Sequence, residues 1–342
     1  MNAVSNSFSV QAEPILAAGP LLGADPLLGD SPAMREVFRL IEKVGPTEAS
    51  VLLTGDSGSG KELAARSIHA RSSRRDGPFV AINTGAIPAG LIEAELFGYE
   101  KGSFTGAVRA HAGVFERAQG GTLLLDEITE MPLDMQTRLL RVLETRKFYR
   151  VGASAELLCD IRVVAATNRC PLQAVKTGQL REDLLYRLAV FPIHLPPLRT
   201  RGNDVELIAE HILADLNARG GTQKRLSALA RMTLRQHTWP GNVRELKNCI
   251  ERAYILGDTT LELAPLIHSG PAIQAVDPAG ERDRLQIRVG SRIHDMERSL
   301  IEATLDYFQG NKRRAASALG CSLKTLYNKL NGYSQSQECA NS

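Results

Sequence analysis

One heptapeptide restricts this chain more than any other stretch: Gly55-Asp56-Ser57-Gly58-Ser59-Gly60-Lys61. An apolar run, Ser50–Thr54, precedes it, and a helical pattern over Glu62–Ala70 follows. Glycines at 55, 58 and 60 allow tight backbone turns whose N–H groups can face one anion, and the next helix adds its positive N-terminal end. Strand, loop and helix in that order form the context of the G-x-x-x-x-G-K phosphate-binding loop. Gly55, Asp56, Ser57, Gly58, Ser59, Gly60 and Lys61 are thus candidate nucleotide contacts, with Lys61 reaching the terminal phosphates. Glu62 stands where a Ser or Thr hydroxyl usually meets Mg²⁺, so here another group or a water must serve the ion.

The elements around that loop alternate. Strand-like runs at Ser50–Thr54, Phe79–Asn83, Thr122–Ile128, Ile161–Asn168 and Phe191–Leu195 are interleaved with helical patterns at Glu62–Ala70, Leu133–Glu144 and Arg181–Leu188. This predicts an α/β unit, a mostly parallel sheet with helices on both faces, over residues 28–195. Ser31 and Pro32 read as the start of a first helix with Val37, Leu40, Ile41 and Val44 on one face. After Pro196-Pro197 the pattern is wholly helical through 257, a second subdomain. Residues 258–290 lose periodicity and carry Gly270-Pro271 and Pro278-Ala279-Gly280, as a linker does. A small all-α unit spans 291–334, and residues 1–27 and 335–342 read as tails.

The chain has an apolar fraction of 43% and a charged fraction of 23%, values that belong to a globular protein. The five cysteines are scattered without C-x-x-C spacing, which excludes a disulfide framework and a cysteine metal site. No apolar run approaches the roughly 18–20 residues that span a bilayer. A cytoplasmic protein with no membrane partner is expected.

Downstream of the loop, Gly121-Thr-Leu-Leu-Leu-Asp126-Glu127 is an apolar strand ending in two carboxylates. Asp126 is placed to hold the Mg²⁺ shell, and Glu127 to orient and polarise an attacking water. The pair and the loop together predict a nucleotide-hydrolysing site that uses ATP and Mg²⁺.

The stretch Gly98-Tyr-Glu-Lys-Gly-Ser-Phe-Thr-Gly-Ala107 resembles the GAFTGA loop of the sigma-54-dependent transcription activators, the NtrC-type bacterial enhancer-binding proteins of the AAA+ class. Here it reads Gly102, Ser103, Phe104, Thr105, Gly106 and Ala107, with Ser103 in place of the usual alanine. The resemblance covers residues 25–334 and also accounts for Glu62, since the family has Gly-Lys-Glu there. It implies an AAA+ P-loop ATPase with a helical lid, and a tip formed by Phe104 and Thr105 that touches sigma-54. It further implies that Asn83 restrains the catalytic Glu127 and that Thr167 and Asn168 sense the γ-phosphate. Arg181 and Arg187 would serve a neighbouring subunit's site, and Arg244, in Trp239-Pro-Gly-Asn-Val-Arg, would be the lid's sensor. Arginines acting in trans imply a ring, expected to be a hexamer.

Near the C-terminus, two helical patterns flank Gly320-Cys321, a helix-turn-helix signature. The apolar face of the preceding helix reads Met296, Leu300, Ala303 and Leu305. Between Asn311 and Tyr333 stand five basic residues and no acidic one, as a polyanion partner requires. The pattern resembles the Fis-type domain of the same activators. That likeness puts Ser322, Lys324, Thr325 and Asn328 at the major groove of double-stranded DNA, Lys312, Arg313 and Lys329 on phosphates, and Ala315, Leu319 and Leu326 in the core.

Two other readings remain. An AAA+ loader or chaperone would share the nucleotide site but has no use for the Phe104 loop or the basic tail. A regulator with a vestigial ATPase would have lost the loop. Too few residues precede the motor for the receiver domain that such activators commonly carry. Control by expression level, a separate regulatory protein or a co-activator subunit is the expectation.

Overall fold

The structure is a computed structural model that describes residues 26–104, 106–263, 297, 300–305, 308, 311–321, 323–326 and 329–330. These fall in two units divided at 270. In the first, five parallel strands form one sheet in the order β2-β3-β6-β1-β7. They are β1 (Val51–Thr54), β2 (Phe79–Asn83), β3 (Thr122–Asp126), β6 (Arg162–Thr167) and β7 (Phe191–His194). A short antiparallel hairpin, β4 (Lys147–Tyr149) with β5 (Glu156–Leu158), stands apart from the sheet.

Side-chain alternation along the strands divides the core in two. Leu52, Leu123, Leu125, Val163 and Ala165 face α3 (Ile92–Phe97), α4 (Val114–Arg117), α5 (Leu133–Thr145) and α7 (Glu182–Leu188). Val51, Leu53, Leu124, Val164, Ala166 and Ile193 face α1 (Pro32–Val44) and α2 (Lys61–Ala70). The central strand β6 is buried along its whole length, so its run of Val and Ala is continuous rather than alternating. Its first residue, Arg162, uses a buried guanidinium to cap α1, donating to Val44 O at 2.8 Å and Gly45 O at 2.6 Å. Ser31 caps the other end of α1, its Oγ accepting from Met34 N.

Three helices, α8 (Asp204–Gly220), α9 (Ala228–Gln236) and α10 (Asn242–Leu256), form the lid around Trp239, which donates from Nε1 to Leu234 O at 2.9 Å. Between β6 and α7 lies one further short helix, α6 (Pro171–Lys176).

Several boundaries differ from the sequence reading. Residues 1–25 and 264–290 lie outside the described residues, but Leu27 is buried rather than part of a tail, and Leu28, expected in the α/β unit, is buried as well. Leu27 packs in the α/β core and Leu28 in the lid core, so this dipeptide straddles the two subdomains. A linker from 258 is likewise corrected: β8 (Arg225–Leu226) pairs in parallel with β9 (Thr260–Leu261), and Leu261 and Leu263 are buried in the lid. The strand expected to reach Ile128 stops at Asp126, because Glu127 turns into the left-handed region at φ 54°.

The second unit contains a helix, α11 (Lys312–Ala318), capped by Asn311 Oδ1, which accepts from Arg314 N at 3.3 Å. Residues 300–305 and 323–326 are also helical. Ile301, Ala315, Ala316 and Leu326 are its core, with Leu305, Phe308 and Leu319 against them. The inward face of the first helix is therefore Ile301, Leu305 and Phe308, at i, i+4 and i+7. Leu300 and Ala303, expected inside, are exposed, and Met296 lies outside the described residues.

Asp204, at the start of α8, ties the lid to the first helix. Its carboxylate is buried and accepts from Asp30 N at 2.7 Å, Ser31 N at 2.9 Å and Ser31 Oγ at 2.7 Å. Asp204→Ala strands three donors and should cost about 3 kcal/mol in urea unfolding followed by Trp239 emission. Unchanged stability would show that these bonds contribute nothing net.

Candidate functional site

The carboxyl ends of parallel strands are where open α/β sheets hold ligands. Here the register sets Asn83 beside Asp126 and Thr54 beside Thr167 along that edge. The loop Gly55–Lys61 leaves β1 there, with Gly55, Gly58 and Gly60 all at positive φ (152°, 75° and 104°). Lys61 curls back over the loop, donating from Nζ to Gly55 O at 2.9 Å. Burial pushes its ammonium below the usual lysine range, against the pull of the Glu127 and Asp126 carboxylates.

The lid closes on this loop from behind. Val243 N donates to Gly58 O at 3.0 Å, Asn242 Nδ2 to Ser57 O at 3.0 Å, and Arg201 Nη2 to Ser59 O at 2.6 Å. Arg244 Nη1 donates to Ser57 Oγ at 2.9 Å, and Arg199 Nη1 to the Asp56 carboxylate at 3.0 Å. Arg201 is 1% exposed; burial pushes its guanidinium down to about 10, against the pull of Asp204, and leaves it charged at neutral pH. Sequence reasoning found Arg244 but missed Arg201, Asn242 and Arg199. Between lid and loop opens a cleft with an apolar floor of Leu27, Leu28, Leu63, Ile208, Ile212 and Val243. It too went unread, because its walls come from segments far apart in the chain.

At the end of β3, Asp126 Oδ1 accepts from Glu127 N at 3.0 Å. Glu127 holds a left-handed conformation rare for a side chain of its kind, and its Oε2 accepts from Asn168 N at 3.3 Å. Thr84, also missed, fixes this bend through Oγ1 donating to Glu127 O at 2.7 Å. Asn83 does not reach Glu127: its Oδ1 accepts from Gly85 N and Ala86 N and caps the turn after β2. Thr167 is fully buried with its hydroxyl against Thr129, so of the expected sensing pair Asn168 alone is exposed. Glu62 pairs with Arg66 at 2.8 Å one helical turn on.

Arg181, at the N-cap of α7, and Arg187, in its last turn, are both exposed. Arg181 pairs with Asp183 at 2.6 Å. Arg187 donates to Leu143 O at 2.9 Å and borders a hollow walled by Ser50, Val163 and Val190. Those residues mark the amino ends of the strands, the opposite edge of the sheet from the phosphate loop.

The Gly102–Ala107 segment projects between α3 and α4. Its base is tied by Arg150, which bonds Glu100 at 2.8 Å and Glu116 at 2.5 Å. That guanidinium holds the Glu116 carboxyl below the usual carboxylate range. Gly102 and Gly106 sit at φ 80° and 107° with open space around them. Phe104 is 42% exposed and meets Tyr99 edge-on with centroids 5.0 Å apart; Ala107 is buried. Thr105 lies outside the described residues. Ser103 packs against Gly152, where an added Cβ would lie 2.6 Å from the Ser103 Cβ.

In the second unit, Gly320 takes φ 65° after α11, making the turn between helices. Lys312, Lys324 and Thr325 are exposed. Lys329, expected on a phosphate, pairs with Glu297 at 2.6 Å. Ser322, Asn328 and the side chain of Arg313 lie outside the described residues.

A glycine phosphate loop, a carboxylate pair at the end of β3 and a helical lid define a P-loop ATPase of the AAA+ class. Residues 27–194 match the family described as the Sigma-54 interaction domain, 199–270 the AAA+ ATPase lid domain, and 292–333 the Bacterial regulatory protein, Fis family. Transcriptional regulatory protein FlbD of Caulobacter vibrioides is 46% identical over 313 residues, 88% of this chain and 69% of the relative. The DNA-binding transcriptional regulator NtrC of Azospirillum brasilense is 44% identical over 327 residues, 87% of this chain and 67% of the relative. Among solved structures, NtrX from Brucella abortus in complex with ATP superposes with a TM-score of 0.70 at 35% identity, covering 90% of this chain and 69% of that one. The chain belongs to the sigma-54-dependent transcriptional activators, with an ATP-binding AAA+ domain and a Fis-type DNA-binding unit.

A Cβ at Gly58 would sit 2.5 Å from the Gly241 carbonyl oxygen, and the residue's φ is left-handed. Gly58→Ala should therefore weaken ATP binding by about tenfold or more in equilibrium titration. Wild-type affinity in that variant would mean the lid does not press on the loop.

Proposed function

We propose that the chain binds upstream DNA and uses ATP hydrolysis to convert the closed complex of sigma-54 RNA polymerase into an open one. The observation that carries this reading is one α/β unit bearing both a lid-gripped phosphate loop and a half-exposed aromatic between two left-handed glycines. A phenyl ring resting on a single turn is cheap to release, since aromatic pairs contribute only about 0.5–1.5 kcal/mol beyond area burial. Lifting Phe104 off Tyr99 would present it, with Thr105, to sigma-54, along with the flanking Gly102, Ser103, Gly106 and Ala107.

In the chemical step, ATP lies along Gly55–Lys61 with its base over the Leu27–Leu28 cleft, and Lys61 and Arg244 exchange loop partners for phosphate oxygens. Glu127 accepts a proton from the attacking water, its carboxylate aimed by the strained backbone and the Asn168 amide. Asp126, one carboxylate oxygen of which is engaged by the Glu127 amide, and the exposed Glu62 at the start of α2 would hold a hydrated Mg²⁺, which when bound would neutralise developing phosphate charge. Asn83 is proposed to restrain Glu127 only after its turn rearranges.

A ring, a hexamer by family likeness, is supported by Arg187, which stands at the amino ends of the strands, away from its own loop, and would serve another subunit's. Arg181 would assist it. The exposed Lys312, Lys324 and Thr325, with Arg313, Ser322 and Asn328, are proposed to meet DNA; Lys329 would do so on leaving Glu297. A cytoplasmic location follows from these partners.

Glu127→Gln should keep ATP affinity while turnover falls about 100-fold or more, and Arg187→Ala should behave alike. Mixing the two inactive variants should restore turnover, because some interfaces then pair an intact Glu127 with an intact Arg187. No recovery on mixing would refute the shared site. Phe104→Ala should leave ATP hydrolysis within about twofold, since the ring touches no nucleotide group, yet abolish sigma-54 capture in pull-down with ADP–metal fluoride. Capture at wild-type level would remove the loop from the contact.

A further inference from the structure

Three consecutive carbonyls of the phosphate loop, those of Ser57, Gly58 and Ser59, are each held by a different lid group: Asn242 Nδ2, Val243 N and Arg201 Nη2. In a trans peptide the C=O and the following N–H point in opposite directions. Drawing these oxygens to the lid therefore turns the amides of Gly58, Ser59 and Gly60 to the other side. The Ser59 amide is taken by Asp56 O at 3.2 Å, so those of Gly58 and Gly60 remain to meet an anion.

We infer that Asn242 and Arg201 are positioning residues that orient the phosphate-binding amides by gripping the loop's carbonyls from the lid side. The inference rests on the nucleotide reading of Gly55–Lys61.

Both residues are anchored as such a role requires. Asn242 is fully buried and holds a left-handed φ of 52°, tolerated by Asn better than by most side chains. Its Oδ1 accepts from Leu198 N at 2.8 Å, which fixes the amide orientation and aims Nδ2 at the loop. The guanidinium of Arg201 is steadied by Nε donating to Pro196 O at 2.9 Å. A lid held only for stability needs apolar contacts, and Leu28, Val205, Ile208 and Trp239 already supply them. Burying a guanidinium carries a desolvation cost that packing alone does not call for. It is explained if the Ser59 peptide must face one way. By linkage, the same bonds make phosphate binding and lid docking favour each other.

Arg201→Lys and Asn242→Gly test this without changing net charge. The ammonium of lysine cannot make both of the guanidinium's bonds, and glycine accepts the left-handed backbone while removing the amide. Calorimetric competition should give ATP and ADP affinities reduced about tenfold in each variant, with adenosine, which lacks phosphate, bound within about twofold of wild type. Unchanged ATP affinity in Arg201→Lys would overturn the inference, as would losses of equal size for adenosine and ATP. Arg201→Lys decides alone if Asn242→Gly loses its buried Trp239 emission. Wild-type protein that bound ATP no better than adenosine would overturn the phosphate-site reading itself.

Discussion

The backbone of the lid lies against the bend of the phosphate loop so closely that no side chain fits between them. Gly58 faces the Gly241 carbonyl, and Val243 donates to the Gly58 oxygen. The residues around this contact follow from it. Gly58 and Gly60 must bend left-handed to bring the loop there, Trp239 and Asn242 take positive φ on the lid side, and Asp204 carries the same helix system back to α1. Sheet, loop and lid thus share hydrogen bonds, the physical basis on which a change in phosphate occupancy is proposed to reach the lid.

The cations of the site are engaged by the protein's own groups: Lys61 by loop carbonyls, Arg244 by Ser57 and Arg199 by Asp56. Phosphate oxygens offer stronger, charge-assisted partners for the same donors, and nucleotide entry is proposed to be an exchange of acceptors rather than the capture of solvated charges. Arg150 performs the comparable service at the base of the Phe104 loop, gathering Glu100 and Glu116 around one guanidinium.

Much of this was legible in the sequence because the signals are local. Strand, glycine loop and helix follow one another without interruption, and all five strands appear where the apolar runs lie. Asp126 ends its strand as the motif demands, with Glu127 in the bend just after it. What escaped depends on contacts between distant segments. Leu27 looked like the end of a tail because nothing nearby in the chain covers it; the α/β core does, while Leu28 packs in the lid. Arg201 and Asn242 sit among common residue types, and only the closeness of the lid gives them carbonyls to hold. Thr84 was hidden by Asn83, whose side-chain oxygen caps the turn. The face of the first C-terminal helix was misread because Leu300 is apolar yet exposed, while Ile301 points inward.

Hydrolysis of ATP by this chain is proposed to open sigma-54 promoters. The most direct test is single-strand reactivity of promoter DNA carrying the chain's upstream site, with sigma-54 polymerase and the full protein. Melting with ATP, and none with a non-hydrolysable analogue that binds equally well, is the predicted result. Melting of equal extent with the analogue, or none with ATP while turnover proceeds, would contradict it.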